Sequence, residues 1–234
     1  AATGLDNVIS GLGQFIGDYH AAKGVTFLFG DTLEGFITDA GKVTGVKLKE
    51  KGVLPADLVL VGVGGIAEME FAQGLDLATD AGGIKVDAHG QTNRPDIYAL
   101  GDVASFHNAY SSAPMRLESV QNAVDQAKAA ATHITGGDAP LTAVPWFWTD
   151  QYDLKVQMAG LSRPGVQEIL RGDPASGAFS ILQFDGAQLV SSFTVNRAAD
   201  HMASRKLIAE RSAMDLAKAQ DADIPLMKAL ASAG

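Results

Sequence analysis

Apolar positions along the chain fall into three kinds of pattern. Residues 7–22 place Val8, Ile9, Leu12, Phe15, Ile16 and Tyr19 near helical spacing, and Lys23-Gly24 stops the pattern, as a glycine commonly ends a helix. Val25 to Phe29 then reads as a short strand. Phe36-Ile37 and Val43 to Leu48 flank Thr38-Asp39-Ala40-Gly41-Lys42, which predicts a β-hairpin. Leu58 to Val63 is a continuous Leu- and Val-rich run that suits a central strand buried on both faces. Glu68 to Leu77 reads as helix, Gly83 to Val86 and Ile97 to Leu100 as strands. Leu117 to Ile134 is a long helix ending at Gly136-Gly137, with Val120, Ala123, Val124, Ala127 and Ala131 as its apolar face.

Beyond Pro140 the period changes to two. Trp146 to Trp148, Lys155 to Ala159, Gln167 to Arg171, Phe179 to Phe184 and Gln188 to Val195 alternate as antiparallel strands, and Ala198 to Ala219 returns to helix. The expected fold is α/β followed by α+β, changing character between residues 105 and 140. Strands as apolar as Leu58 to Gly65 and Ile97 to Gly101 need cover on both faces, so their cover is expected from outside this chain.

Composition narrows the class. The chain has 234 residues, 47% hydrophobic and 19% charged, which describes a globular protein with a real core. A formal net charge of -9 without a basic stripe argues against a nucleic-acid partner. No cysteine is present, which removes disulfides, zinc–thiolate sites, cysteine-held iron–sulfur clusters and a redox dithiol. That is compatible with a cytoplasmic setting. The longest apolar run, Leu58 to Ala67, is far short of the ~20 residues of a spanning helix, so no membrane segment is expected. The chain starts at Ala1-Ala2-Thr3 without an initiator Met, as an internal cut would.

The chemically informative run is Thr92-Asn93-Arg94-Pro95-Asp96-Ile97-Tyr98-Ala99-Leu100-Gly101-Asp102. A small apolar segment delivers Gly-Asp at the position where open α/β sheets bind ligands. Glycine gives backbone access, and the carboxylate can accept hydrogen bonds from hydroxyls. Gly11-Leu12-Gly13-Gln14-Phe15-Ile16-Gly17, with Asp31 downstream, imitates the spacing of a phosphate-binding turn. The strand before it would be too short, so a helix is the better reading. His20, His89, His107, His133 and His201 show no metal-ligand spacing. Arg197, Arg205, Lys206 and Arg211 form a basic stretch, read as a solvated helix face or as a docking patch for an acidic partner.

Gly83-Ile84-Lys85-Val86-Asp87 followed by Thr92 through Asp102 resembles the second FAD-binding motif of the two-dinucleotide-domain flavoprotein reductases. Arg116-Leu117-Glu118-Ser119-Val120-Gln121-Asn122-Ala123 resembles their helix start facing the flavin. Pro145-Trp146-Phe147-Trp148-Thr149-Asp150-Gln151 resembles the opening of the third domain in the ferredoxin-reductase branch. The resemblance covers about residues 5 to 215. It implies partial FAD/NAD(P)-binding doubly wound domains plus a C-terminal domain: 1–61 as the end of an NAD-binding domain, 62–115 as the end of an FAD-binding domain, 116–234 as a C-terminal interface domain.

The resemblance also implies an NADH-dependent flavoprotein reductase with FAD and NAD as cofactors and a ferredoxin-type iron–sulfur protein as partner, serving an oxygenase system. N-terminal FAD and NAD segments would lie outside this chain, which would then not turn over by itself, and a homodimer would be possible. Asp102 would hold the ribityl chain, with Gly101 giving backbone access. Ser119 and Val120 would lie against the flavin ring, Glu118 near the nicotinamide side, Trp148 at the flavin edge and Gly64 near the nicotinamide. No side chain would act as a general acid or base. Two other readings stand beside it: a non-enzymatic dimerisation or docking module, and a small NAD-binding protein using Gly11 to Gly17.

Overall fold

A computed structural model describes residues 10–231. The chain divides into two compact units, Ala1–Gly65 and Ile66–Gly234.

The first unit opens with helix α1 (Ser10–Ala22), which ends where Gly24 takes a φ of +93°. Residues 7–9 of the predicted helix lie outside the described residues. All of Gly11 to Gly17 is inside α1, so this segment makes no phosphate-cradling turn. That overturns the reading of a small protein binding NAD through it. Strands β1 (Leu33–Asp39), β2 (Lys42–Leu48) and β3 (Gly52–Pro55) form an antiparallel three-stranded sheet. The β1–β2 hairpin was legible; Ala40 and Gly41 close it, both at positive φ, as a two-residue hairpin turn demands. The third strand was not foreseen. Asp31 accepts the backbone N–H groups of Glu50, Lys51 and Thr32, which hold its carboxyl below the usual range.

Two predicted strands of this unit are absent. Val25 to Phe29 is irregular; the Phe27 and Phe29 rings stack on each other at 5.3 Å instead. Leu58 to Val63 is also irregular and exposed, with Leu60 93% accessible. An apolar run becomes a strand only when flanking strands take up its N–H and C=O groups, and none does so among the described residues.

The second unit begins with the one-turn helix α2 (Glu70–Gly74), shorter than the predicted Glu68 to Leu77. Strands β4 (Thr79–Asp80), β5 (Gly83–Lys85), β6 (Ala104–Phe106) and β7 (Met115–Arg116) form a sheet in that order, with β5 and β6 parallel. Ile97 to Leu100 is not a strand: it carries a single bridge, Gln91 to Tyr98, and the strand forms later, at β6. Contrary to expectation this segment is covered from within, since Ala99 and Gly101 are buried and Ile97 packs on the cluster of Ala72, Ile84, Val86 and Phe106.

Helix α3 (Val120–Ile134) leads into the second half of the unit, where β8 (Trp146–Gln151), β9 (Leu154–Gly160), β10 (Gln167–Asp173), β11 (Ala178–Asp185) and β12 (Gln188–Val195) form one antiparallel sheet ordered β10-β11-β12-β9-β8. All five strands match the period-two segments of the sequence. Helix α4 (Ala198–Glu210) packs on β12 and β9 through Ala203, Leu207 and Ile208, against Ala159, Leu182 and Leu189. The predicted helix to Ala219 breaks at Arg211, which turns left-handed at φ +51°, and resumes as α5 (Leu216–Gln220). The C-terminal tail is clasped by Arg171, fully buried, which donates to the carbonyls of Ala219, Asp221 and Ile224 and to the Asp200 carboxylate.

Candidate functional site

The Gly101–Val103 segment is a 3-10 turn that joins the irregular Ile97–Leu100 stretch to β6. Gly101 has φ +73°, a conformation open to glycine at little cost, and is buried. Its N–H donates to Gln126 Oε1 at 2.6 Å, and Gln126 is itself buried on α3. The helix therefore fixes the turn through a hydrogen bond shielded from water.

Arg116 fixes the turn from its other side. Its Nη1 donates to the Asp102 carbonyl at 2.7 Å, and its Nη2 pairs with Glu118 Oε1 at 2.7 Å. The stem of Arg116 crosses Gly83, where an added Cβ would sit 2.6 Å from Arg116 Cδ and 2.6 Å from the Val103 carbonyl; only glycine fits there. With the backbone of Asp102 held in this way, its carboxylate is exposed and accepts no hydrogen bond from the described residues.

The start of α3 stands beside this turn. Ser119 is its N-cap and accepts from the Asn122 N–H at 3.2 Å, while Asn122 Nδ2 donates to the Leu117 carbonyl at 2.9 Å. The first N–H groups of the helix remain free to bind an electron-rich ligand, at the positive end of the helix dipole.

The apolar face of α3 is its exposed one. The buried side is Asn122, Gln126, Ala129 and Ala130, whereas Val120 is 68% and Val124 42% accessible. The apolar stripe read from the sequence forms a wall open to solvent. Asp102, Glu118, Ser119, Val120, Ala123, Val124 and Ala127 line one open hollow of about 750 Å³. A polar inner face and an apolar outer face invert the usual amphipathic helix, and the inversion is accounted for if a ligand covers the outer one.

Of the residues singled out from sequence, Asp102, Glu118, Ser119 and Val120 are thus brought together, with Gly101 directly behind them. Gly64 is not among the lining residues; it belongs to the other compact unit, at φ +91°. Trp148 does not line the hollow either. It stands on β8, 46% accessible, with its ring 5.4 Å from Trp146. Trp146 packs on the C-terminal core, with the Arg205 guanidinium over its ring at 4.5 Å and the His201 ring at 5.4 Å. Reading the sequence missed Gln126. A glutamine among the alanines of a helix face was the available signal.

The basic stretch is largely committed internally. Arg197 pairs with Asp200 at 2.5 Å, Arg205 with Trp146, and Lys206 with Glu210 at 3.7 Å. Burial alone would raise Asp200, but hydrogen bonds from Arg197 and Arg171 outweigh it and hold the carboxyl below its usual range. Among the described residues no group of three or more His, Asp or Glu side chains could hold a metal ion, and no helix is long and apolar enough to cross a membrane.

Two family signatures divide the chain at the change of period. Residues 4–127 match the pyridine nucleotide-disulphide oxidoreductase family, and residues 146–230 match the reductase C-terminal domain. The chain belongs to the pyridine nucleotide-disulphide oxidoreductase family. It is 38% identical over 225 residues to the 5,5'-dehydrodivanillate O-demethylase ferredoxin reductase subunit of a Sphingobium species, covering 95% of this chain and 54% of that protein. The ferredoxin reductase for the CYP199A2 system of Rhodopseudomonas palustris superposes with a TM-score of 0.88 at 38% identity, over 96% of this chain and 55% of that one. Putidaredoxin reductase, in its covalent complex with putidaredoxin, superposes with a TM-score of 0.91 at 35% identity, over 97% and 55%. The chain spans about half the length of the curated relatives it matches.

Proposed function

We propose that this chain supplies the C-terminal wall of the flavin site in an FAD-dependent NADH:ferredoxin oxidoreductase, an enzyme that passes electrons from NADH through FAD to a ferredoxin of an oxygenase system. The observation that carries the reading is the hollow in which the Asp102 carboxylate, the α3 N-terminus and the apolar stripe Val120, Ala123, Val124 and Ala127 meet.

The residues fit the group. A flavin is a flat apolar ring bearing a polyhydroxyl chain. The stripe offers an apolar surface that excludes water from the ring, and the uncommitted Asp102 carboxylate offers acceptors for hydroxyls. Gly101 removes the side chain that would crowd the approach. Free N–H groups at the start of α3 favour negative charge on the ring edge. Bound FAD would supply the redox chemistry, taking a hydride from NADH and releasing electrons singly. Glu118, held by Arg116, would border the nicotinamide. No side chain needs to move a proton.

A ferredoxin-type iron–sulfur partner is supported by the relative solved with putidaredoxin. The cysteine-free sequence supports direct transfer from flavin to partner without a dithiol, and a cytoplasmic setting. The remaining half of the relatives' length would cover the Leu58–Ile66 segment and complete both cofactor sites.

The test is the visible absorption spectrum of the purified protein with FAD added, for the wild type and Asp102→Ala. The expected result is a flavin band displaced from that of free FAD in the wild type and reduced in the variant. A spectrum identical to free FAD at every protein concentration overturns the proposal.

A further inference from the structure

A second concavity lies in the C-terminal half of the same compact unit and shares no residue with the hollow at Asp102. It is a half-open pocket of about 280 Å³ between the 109–112 loop and the edge where β12 meets the end of α4. Its floor is apolar: Leu189 and Ile208 are buried, and Leu161 and Val190 are half-buried beside them. Its rim carries two guanidinium groups from different elements, Arg163 after β9 and Arg211 beyond α4.

These two charges are not equally engaged. Arg163 is paired with Asp185, which neutralises it in part. Arg211 pairs with no carboxylate among the described residues; its hydrogen bond is a long one, 3.4 Å, to the Ala109 carbonyl. It is also the one member of the basic stretch left without a charged or aromatic partner. The side chains of Ser112 and Gln188, on the same rim, accept or donate no hydrogen bond within the described residues. In a chain of net charge -9, a guanidinium with no carboxylate partner among the described residues beside a shared one is a local exception.

We propose that this pocket binds a small organic carboxylate with an apolar body. Roughly one net positive charge at the rim matches a monoanion, because Asp185 already offsets Arg163. A planar guanidinium suits the two oxygens of a carboxylate. The apolar floor takes up a ring or short chain, so a bare inorganic anion would satisfy only the rim.

The experiment is a two-dimensional NMR titration of this chain with benzoate, acetate and inorganic phosphate as probes. Saturable benzoate shifts are expected at Ser112, Leu161, Arg163 and Arg211, with acetate and phosphate binding at least tenfold more weakly. Arg211→Gln, which keeps the left-handed backbone strain constant, is expected to weaken benzoate at least tenfold. Ser112→Asp, on an exposed loop, is expected to do the same by adding a negative charge. Absence of saturable shifts, phosphate or acetate binding as tightly as benzoate, or benzoate affinity unchanged in both variants would each overturn the proposal. None of these outcomes bears on the flavin reading, which rests on other residues.

Discussion

Replacing Gln126 with Leu tests the joint that holds the Gly101–Asp102 turn to α3. The side chains are similar in volume and both positions are buried, so the substitution removes an acceptor with little loss of packing. The Gly101 N–H then faces an apolar neighbour with no water to replace the 2.6 Å bond to Gln126 Oε1. Leaving a buried donor unsatisfied costs about 1–3 kcal/mol. Apolar burial of the new methyl groups offsets part of it, so a net loss of about 1–2 kcal/mol is expected. The assay is paired. Urea denaturation followed by circular dichroism reads the global loss, and hydrogen exchange of the Gly101 amide reads the local one, with protection falling about 5- to 30-fold. FAD-induced shifts at Asp102 should weaken in parallel, because the carboxylate is aimed by the turn. An unchanged urea midpoint together with unchanged Gly101 protection would refute the reasoning that α3 positions the turn.

His201 is 1% accessible, and both ring nitrogens lack partners among the described residues; burial, and then the Arg205 charge, pull its pKa down to about 4. The folded state therefore binds this proton less readily than the unfolded chain, so stability should fall as pH drops from about 6.5 toward 4, by about 2 kcal/mol between pH 7 and 5. Urea melts at the two pH values should show this loss diminished in His201→Leu; an equal loss in both proteins would contradict it. Asp200→Asn removes the carboxylate paired with the buried Arg171, the only one among the described residues, and should cost about 3–5 kcal/mol, read as a lowered thermal midpoint. Gly160→Ala should cost more than about 3 kcal/mol, since φ is +74° and the new Cβ would sit 2.1 Å from the Val190 carbonyl; a stable, soluble variant would contradict the observed β9–β12 register.

The C-terminal sheet was legible because each of its five strands alternates and each is supplied with neighbours inside this chain. Leu58 to Val63 failed as a strand for the opposite reason: its pattern encodes burial, and nothing among the described residues provides it. Ile97 to Leu100 was placed too early because the apolar segment leads into the Gly101 turn before pairing resumes at Ala104. Within the site, the glycine and the carboxylate were readable from the motif. The apolar face of α3 was legible as a stripe, but periodicity does not say what covers it. Valine against a ligand and valine against a core look the same in sequence, whereas Asn122 and Gln126 among the alanines of the opposite side were a signal whose meaning the backbone partners supply.

The most direct test of the flavin wall is a residue-resolved NMR titration of this chain with FAD, which registers weak binding as well as tight. Shifts concentrated at Asp102, Ser119, Val120, Ala123 and Val124, and lost in Val120→Asp, are the result this account predicts. Shifts that avoid these residues, or none at FAD concentrations well above the protein's, would contradict it.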